Sequence, residues 1–182
     1  MMRFLGLAAI FCIGLSSCSK NPQSTEFRVG LVTPGSIADA AWNSGAYAGL
    51  QQIHDSLAVP ISHVEARTPG EQEEALRNYA AQGYTLVFGH GFEFQGAAER
   101  VSAQYPRPVF VVTSGEGVAG NVSPLIFRLA EASYLAGMVA GGMTRSNTLG
   151  FIGGIELPPI KEAEAAWVAG ATPWGKVVRT KK

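Results

Sequence analysis

The chain has 182 residues, 47% of them hydrophobic, and its 14 basic side chains balance 14 acidic ones to a formal net charge of zero. That balance excludes the broad electrostatic attraction on which nucleic-acid binding and adhesion to anionic membranes depend, so any ligand must be held by a local site. The length suffices for one well-filled α/β core but not for two of full size.

Residues 1–17 read as an export leader. Arg3 supplies a positive start, Phe4 to Leu15 an apolar run too short to span a bilayer, and Leu15-Ser-Ser-Cys18 the spacing of a lipoprotein processing site. Cleavage before Cys18 would leave a thiol for a diacylglycerol and an amine for a further acyl chain, the two hydrophobic signals that stable anchoring requires. Cys12 leaves with the leader and Cys18 is consumed by lipid, so the folded part has no thiol for a disulfide or for catalysis. Residues 18–26 are polar, include Pro22, and read as a tether.

Phe27 to Thr33 is an apolar run of strand length, broken by Pro34-Gly35. Asp39 then stands as an N-cap before a helical pattern of Trp42, Ala46, Leu50, Ile53 and Leu57. In an open α/β sheet this loop lies at the carboxyl end of a strand, where ligands collect. Trp42 offers an aromatic face and Asn43 an amide that both donates and accepts, a pair suited to a flat polar ligand. The plainer reading is a cap and a core tryptophan.

Val59 to Arg67 offers a second strand, with Ile61, Val64 and Ala66 as its apolar positions. Thr68-Pro-Gly-Glu71 starts the next helix with a cap, a proline at the first helical position and a glutamate three residues after the cap. Ala75, Leu76, Tyr79 and Ala80 should face inward, and Gly83 should end the helix. Tyr84 to Phe88 is a third strand, followed by the loop Gly89-His-Gly-Phe-Glu-Phe94. Gly89 and Gly91 permit close backbone approach, Phe92 can stack and Glu93 can accept. A dinucleotide fingerprint would need glycine where Phe94 stands. Phe94 belongs to the core with Ala97, Ala98 and Val101, and the scattered His54, His63 and His90 have no metal-ligand spacing.

Pro106-Arg-Pro108 ends that helix, Val109 to Val112 is a fourth strand, and Thr113 to Gly120 a glycine-rich loop. Val122 to Phe127 is a fifth strand, the crossing toward a second lobe. Ala130 to Met143 is a helix rich in small residues, implying close packing on a sheet or another helix. Glu131 and Arg145 bracket too few residues for a membrane span. Leu149 to Ile152 is a sixth strand, and Pro158-Pro159 opens a helix ending near Gly170. Glu156 and Lys161 flank that start, either as a solvated charge pair or as a ligand's acceptor and donor. Lys176 to Arg179 begins a seventh strand. The alternation indicates an α/β fold with a parallel sheet flanked by helices, comprising a first lobe at 27–120 and, at 121–182, a crossover and an incomplete second lobe.

Asp39-Ala-Ala-Trp-Asn43 with Tyr47-Ala-Gly-Leu50, Gly89-His-Gly-Phe-Glu-Phe94, Ala132-Ser-Tyr-Leu-Ala-Gly137 and Gly150-Phe-Ile-Gly-Gly-Ile-Glu-Leu-Pro-Pro-Ile-Lys161 stand in one order along the chain. Together they resemble the basic membrane protein family, lipid-anchored solute-binding proteins of the purine nucleoside receptor type that serve ABC importers. The similarity runs from about Arg28 to about Val178. It implies a type I periplasmic binding protein fold with a truncated second lobe. It also implies capture of a small polar solute, first of all a purine nucleoside, for an ABC permease, with no cofactor and no covalent step. By this resemblance Trp42 and Phe92 give faces to a base and Asp39 and Asn43 fix its polar edge. Gly91 lets the backbone approach, Ser114 meets the sugar side, and Glu156 and Lys161 close the second wall.

The chain departs from the family after the fourth strand, where an aspartate that binds sugar hydroxyls is replaced by Thr113-Ser114. A hydroxyl cannot give a ribose diol the charged, bidentate acceptance of a carboxylate. Two other readings stand beside the importer one: a membrane-anchored small-molecule sensor, or a truncated chain that binds nothing. The sequence has no Gly-x-Ser-x-Gly elbow and no histidine near a candidate nucleophile, so no enzymatic step is expected.

Overall fold

The computed structural model describes residues 26–174 and the backbone of 177–180. The leader, Cys18 and nearly all of the tether lie outside the described residues.

The first strand, β1 (Val29–Thr33), leads into α1 (Trp42–Leu57), β2 (Ile61–Glu65), α2 (Pro69–Ala81) and β3 (Leu86–His90). A 3-10 turn at Phe92–Phe94 opens α3 (Gln95–Ser102), and β4 (Val109–Thr113) and β5 (Val122–Leu125) complete a five-stranded sheet. All its pairings are parallel, in the order β2-β1-β3-β4-β5. The chain winds outward from β1 to β2, returns across β1 to β3, and then winds the other way. The reversal places a crevice between the carboxyl ends of β1 and β3.

The capping chemistry read at Thr68 is present in full. The Glu71 amide donates to Thr68 Oγ1 at 3.3 Å and the Thr68 amide to Glu71 Oε2 at 2.9 Å, with Pro69 at the first helical position. Leu76, Tyr79 and Ala80 of α2 join Ala97, Ala98 and Val101 of α3 on Val32, Val87, Phe110 and Val112, and this face of the sheet is dry. Phe94 belongs to the same core and is fully buried. On the other face α1 is the one helix that packs among the described residues, setting Leu50, Ala46 and Ile53 on Val29 and Leu31. Beyond it Leu86, Phe88 and Val111 are half-buried, while Val109 and Leu125 are exposed.

Of the strand ends that differ from the sequence reading, three bear on the site. The loop expected from Gly89 begins only at Gly91, because β3 runs through His90. Thr113 belongs to β4 rather than to the loop after it. Phe127 falls outside β5, an edge strand that stops one residue after Pro124, a residue with no N–H to give to a ladder.

Past the crossover, α4 (Leu129–Met143), β6 (Thr148–Phe151), α5 (Pro158–Ala171) and β7 (Val177–Thr180) form a second unit, whose two strands pair in parallel. No helix among the described residues is long and apolar enough to cross a membrane. The small residues of α4 serve a helix contact: a Cβ on Gly137 would run into the Trp167 carbonyl, and one on Gly170 into the Tyr134 carbonyl. The backbones of α4 and α5 therefore touch, which only glycine permits. On α1, by contrast, Gly45 and Gly49 face open space.

These two kinds of glycine should respond oppositely to substitution. Gly137→Val should separate α4 from α5 and cost about 1–3 kcal/mol, read as a lower thermal midpoint with loss of near-UV circular dichroism. Gly49→Ala should raise the midpoint, a gain of about 0.5–1 kcal/mol for alanine in a helix interior.

Candidate functional site

The loop between β1 and α1 is built by its own polar side chains. Thr33, fully buried at the end of β1, donates its hydroxyl to the Gly35 carbonyl at 2.7 Å and lies 2.8 Å from Nε2 of His63. Asp39 then reaches forward over the start of α1. Its Oδ1 accepts from the amides of Ala41 at 3.0 Å and Ser44 at 2.9 Å, and its Oδ2 accepts from the Asn43 amide at 2.8 Å. These amides have no partner inside the helix, so the carboxylate caps its start as the sequence suggested, but from two residues ahead of the N-cap position, which Ala41 holds. The Asn43, Ala41 and Ser44 bonds, in that order, hold its pKa far below the usual carboxylate range.

The cap sends Trp42 and Asn43 in different directions. Trp42 is 45% exposed and stands at the rim of a hollow of about 550 Å³. Leu31, Phe88 and Leu125 of the sheet floor this hollow, Ala46, Gly49 and Ile53 of α1 wall it, and His90, Thr113 and Phe127 close it beside Trp42. Asn43 is 8% exposed and does not line the hollow. Its Nδ2 lies against Gly35 at the end of β1, and its Oδ1 is buried without a hydrogen-bond partner among the described residues. A buried amide oxygen in that condition is costly unless something donates to it.

His90 joins the elements around the crevice. Its ring stacks on the Trp42 indole with centroids 4.2 Å apart and planes 26° from parallel. Nε2 lies 3.1 Å from the Trp42 carbonyl and Nδ1 lies 3.0 Å from Thr113 Oγ1. Burial holds its pKa below the ordinary histidine value, against smaller opposing effects of the Trp42 carbonyl and the Asp39 charge. Phe127 meets the indole edge-on at 5.9 Å.

Sequence reasoning set His90 aside as a lone histidine and placed Phe127 in a strand. The missed signal was the alternation Leu86, Phe88, His90 on one face of β3, hidden by ending that strand before Gly89.

The other candidates do not line the hollow. Gly91 directly follows His90, at φ +139°, with the Glu93 carboxylate folded over it. Phe92 is half-buried in the 3-10 turn. Ser114 follows Thr113 in a left-handed conformation, its amide donating to the Leu125 carbonyl at 2.8 Å. Glu156 and Lys161 are exposed at the turn from β6 into α5, outside the hollow. The polar atoms of His90 and Thr113 already bond to protein partners, so the hollow offers apolar and ring contact. The unsatisfied acceptor is on the other flank of the first helical turn.

A family model described as ABC transporter substrate-binding protein PnrA-like matches residues 27–181. The chain belongs to this family. It is 29% identical over 162 residues to the ABC transporter nucleoside-binding protein BmpA of Lactococcus lactis, covering 86% of this chain and 46% of that protein. It is 26% identical over 136 residues to a putative ABC transporter glucose-binding protein, TsgA13, of Haloferax volcanii, covering 74% of this chain and 35% of that one. A solute-binding protein of an ABC transporter system from Aeropyrum pernix superposes with a TM-score of 0.74 at 20% identity, over 85% of this chain and 46% of that one. The fold is thus the α/β architecture of type I periplasmic binding proteins, as the sequence suggested. The chain spans about half the length of the curated relatives it matches.

The cap gives the site a dependence on acid. A carboxylate with a depressed folded pKa contributes stability that is present above its unfolded value of 3.8 and is lost as pH falls through the folded one. Asp39→Asn should therefore melt below the parent chain at neutral pH, with the gap closing below pH 3.8 in a pH series of thermal midpoints.

Proposed function

We infer that this chain captures a small polar solute with a flat ring, a purine nucleoside being the first choice, and holds it unchanged for an ABC permease. The observation that carries this reading is the first turn of α1. A half-exposed indole and a buried amide oxygen with no donor among the described residues stand one residue apart at the mouth of a parallel sheet. An aromatic face holds a base by stacking, worth about 1–3 kcal/mol per base. The Asn43 side chain, buried beside this turn, would swing outward on binding and its oxygen accept an N–H from the base edge, ending its own isolation.

In this reading Gly91 and Phe92 bound the site on the β3 side and Ser114 takes the sugar hydroxyls. Glu156 and Lys161, at the mouth of β6, belong to an opposing wall. Asp39 acts through the helix start that it caps, with its oxygens committed to amides, rather than by touching the solute. A lipid on Cys18 would hold the protein at the membrane, where a permease works. The relative named as nucleoside-binding supports a nucleoside and the one named as glucose-binding supports a sugar, so the solute has to be measured.

Mass spectrometry of small molecules released from the purified protein, set beside thermal shifts with inosine, adenosine and glucose, tests the proposal. A nucleoside should raise the midpoint in a saturable way, reaching about 2.7 kcal/mol at a hundredfold excess over Kd. Trp42→Ala should weaken binding about tenfold or more, matching the loss of a stacked base, and Asn43→Ala should weaken it independently. A midpoint indifferent to nucleosides would remove the nucleoside, and binding that survives both substitutions would remove the site.

A further inference from the structure

His90 lies inside a motif of the family resemblance but was given no role there, yet its ring joins α1 to β4 at the mouth. It is 5% exposed, covers one face of the Trp42 indole, and bonds through both ring nitrogens to groups on α1 and β4. We propose that His90 is a positioning residue that clasps the Trp42 indole, so that a solute has only the opposite ring face to stack on. This rests on the reading of Trp42 as a solute-facing ring.

The bonding pattern defines the state of the imidazole. A carbonyl only accepts, so Nε2, facing the Trp42 carbonyl, carries the proton. Nδ1 faces the Thr113 hydroxyl, which can donate or accept, and burial, which disfavours a charged ring, makes Nδ1 the acceptor. The ring is neutral, and its plane is set by two bonds at opposite corners. With that plane set, the indole 4.2 Å away cannot tilt toward the hollow without losing the stack.

A second proton would go to Nδ1 and turn it from acceptor to donor. The Thr113 hydroxyl would then have to rotate, and a charge would appear in a buried place. The elements around the ring, β1, α1 and β4, bring Thr33, Trp42 and Thr113, none of them charged. Asp39 is the charged group whose field reaches it. Burial outweighs that attraction, so the ring protonates below the usual 6.5. A protonated imidazole stacked on an indole quenches its fluorescence, which gives the clasp a spectroscopic signature that mere packing would not have.

The test uses the full chain with Trp167→Phe and Trp174→Phe, leaving Trp42 as its one tryptophan, excited selectively over tyrosine and titrated from pH 8 to pH 5 without solute. Emission should fall in a one-proton step centred below 6.5. His90→Gln should abolish the step and raise quenching by acrylamide, because the second indole face opens. His90→Phe, which keeps a ring in place, should abolish the step while leaving acrylamide quenching as in the parent. Thr113→Val, which removes the donor to the neutral ring, should move the step to higher pH. Inosine affinity should then fall several-fold in His90→Gln and hold in His90→Phe.

Emission that ignores pH, or a step that persists in His90→Gln, would overturn the proposal. If His90→Gln fails to fold by far-UV circular dichroism, the phenylalanine and Thr113→Val arms carry the same decision. A chain that shows the step but no inosine binding would refute the nucleoside reading and leave the clasp standing.

Discussion

The start of α1 leaves backbone amides with no partner inside the helix, and the way they are satisfied decides where everything nearby points. Asp39 reaches over the first turn and takes the amides of Ala41, Asn43 and Ser44. Because the carboxylate is held by backbone, the helix begins at one place and in one rotation. Trp42 is sent outward over the sheet and Asn43 inward toward Gly35. His90 then secures the indole from below, and Phe127 meets its edge. Without the cap the first turn would fray, and the relation between ring and amide would be lost with it.

The second constraint is the sheet itself. A parallel sheet is built to be covered on both sides. Here α2 and α3 cover most of one side, whereas on the other α1 shelters β1 and β2 and leaves β3 to β5 partly open. The hollow beside Trp42 is part of that open side, which explains its apolar lining. In the proposed reading, polar recognition comes from its edge, from Asn43 and from the loops that follow β3 and β4. The contact of α4 with α5 shows how tightly this chain packs a helix pair when both partners are present, through glycines on both backbones.

Much of this could be read from the residues alone. The alternation of apolar runs with capped helices located every element, and the capping box at Thr68 and Glu71 is present atom for atom. Strand ends were harder to place, for a physical reason. Gly89 and Thr113 look like loop residues, yet both continue their strands, Gly89 paired with Val32 of β1 and Val112 of β4, and Thr113 with His90 and Leu125. That short misreading hid His90, whose importance comes from two partners far away in sequence, Trp42 and Thr113. Asp39 was expected to serve both cap and ligand, whereas its oxygens are occupied by amides. The direction of Asn43 depends on the rotation of α1, which no local pattern reveals.

The central claim is that ring and amide at the start of α1 receive a solute together. Side-chain NMR of Trp42 and Asn43 during titration with inosine tests it most directly. The account predicts that the indole N–H and the Asn43 side-chain amide shift in step, with one saturation curve, while Trp167 and Trp174 stay still. Saturable binding that leaves both Trp42 and Asn43 unmoved would contradict it.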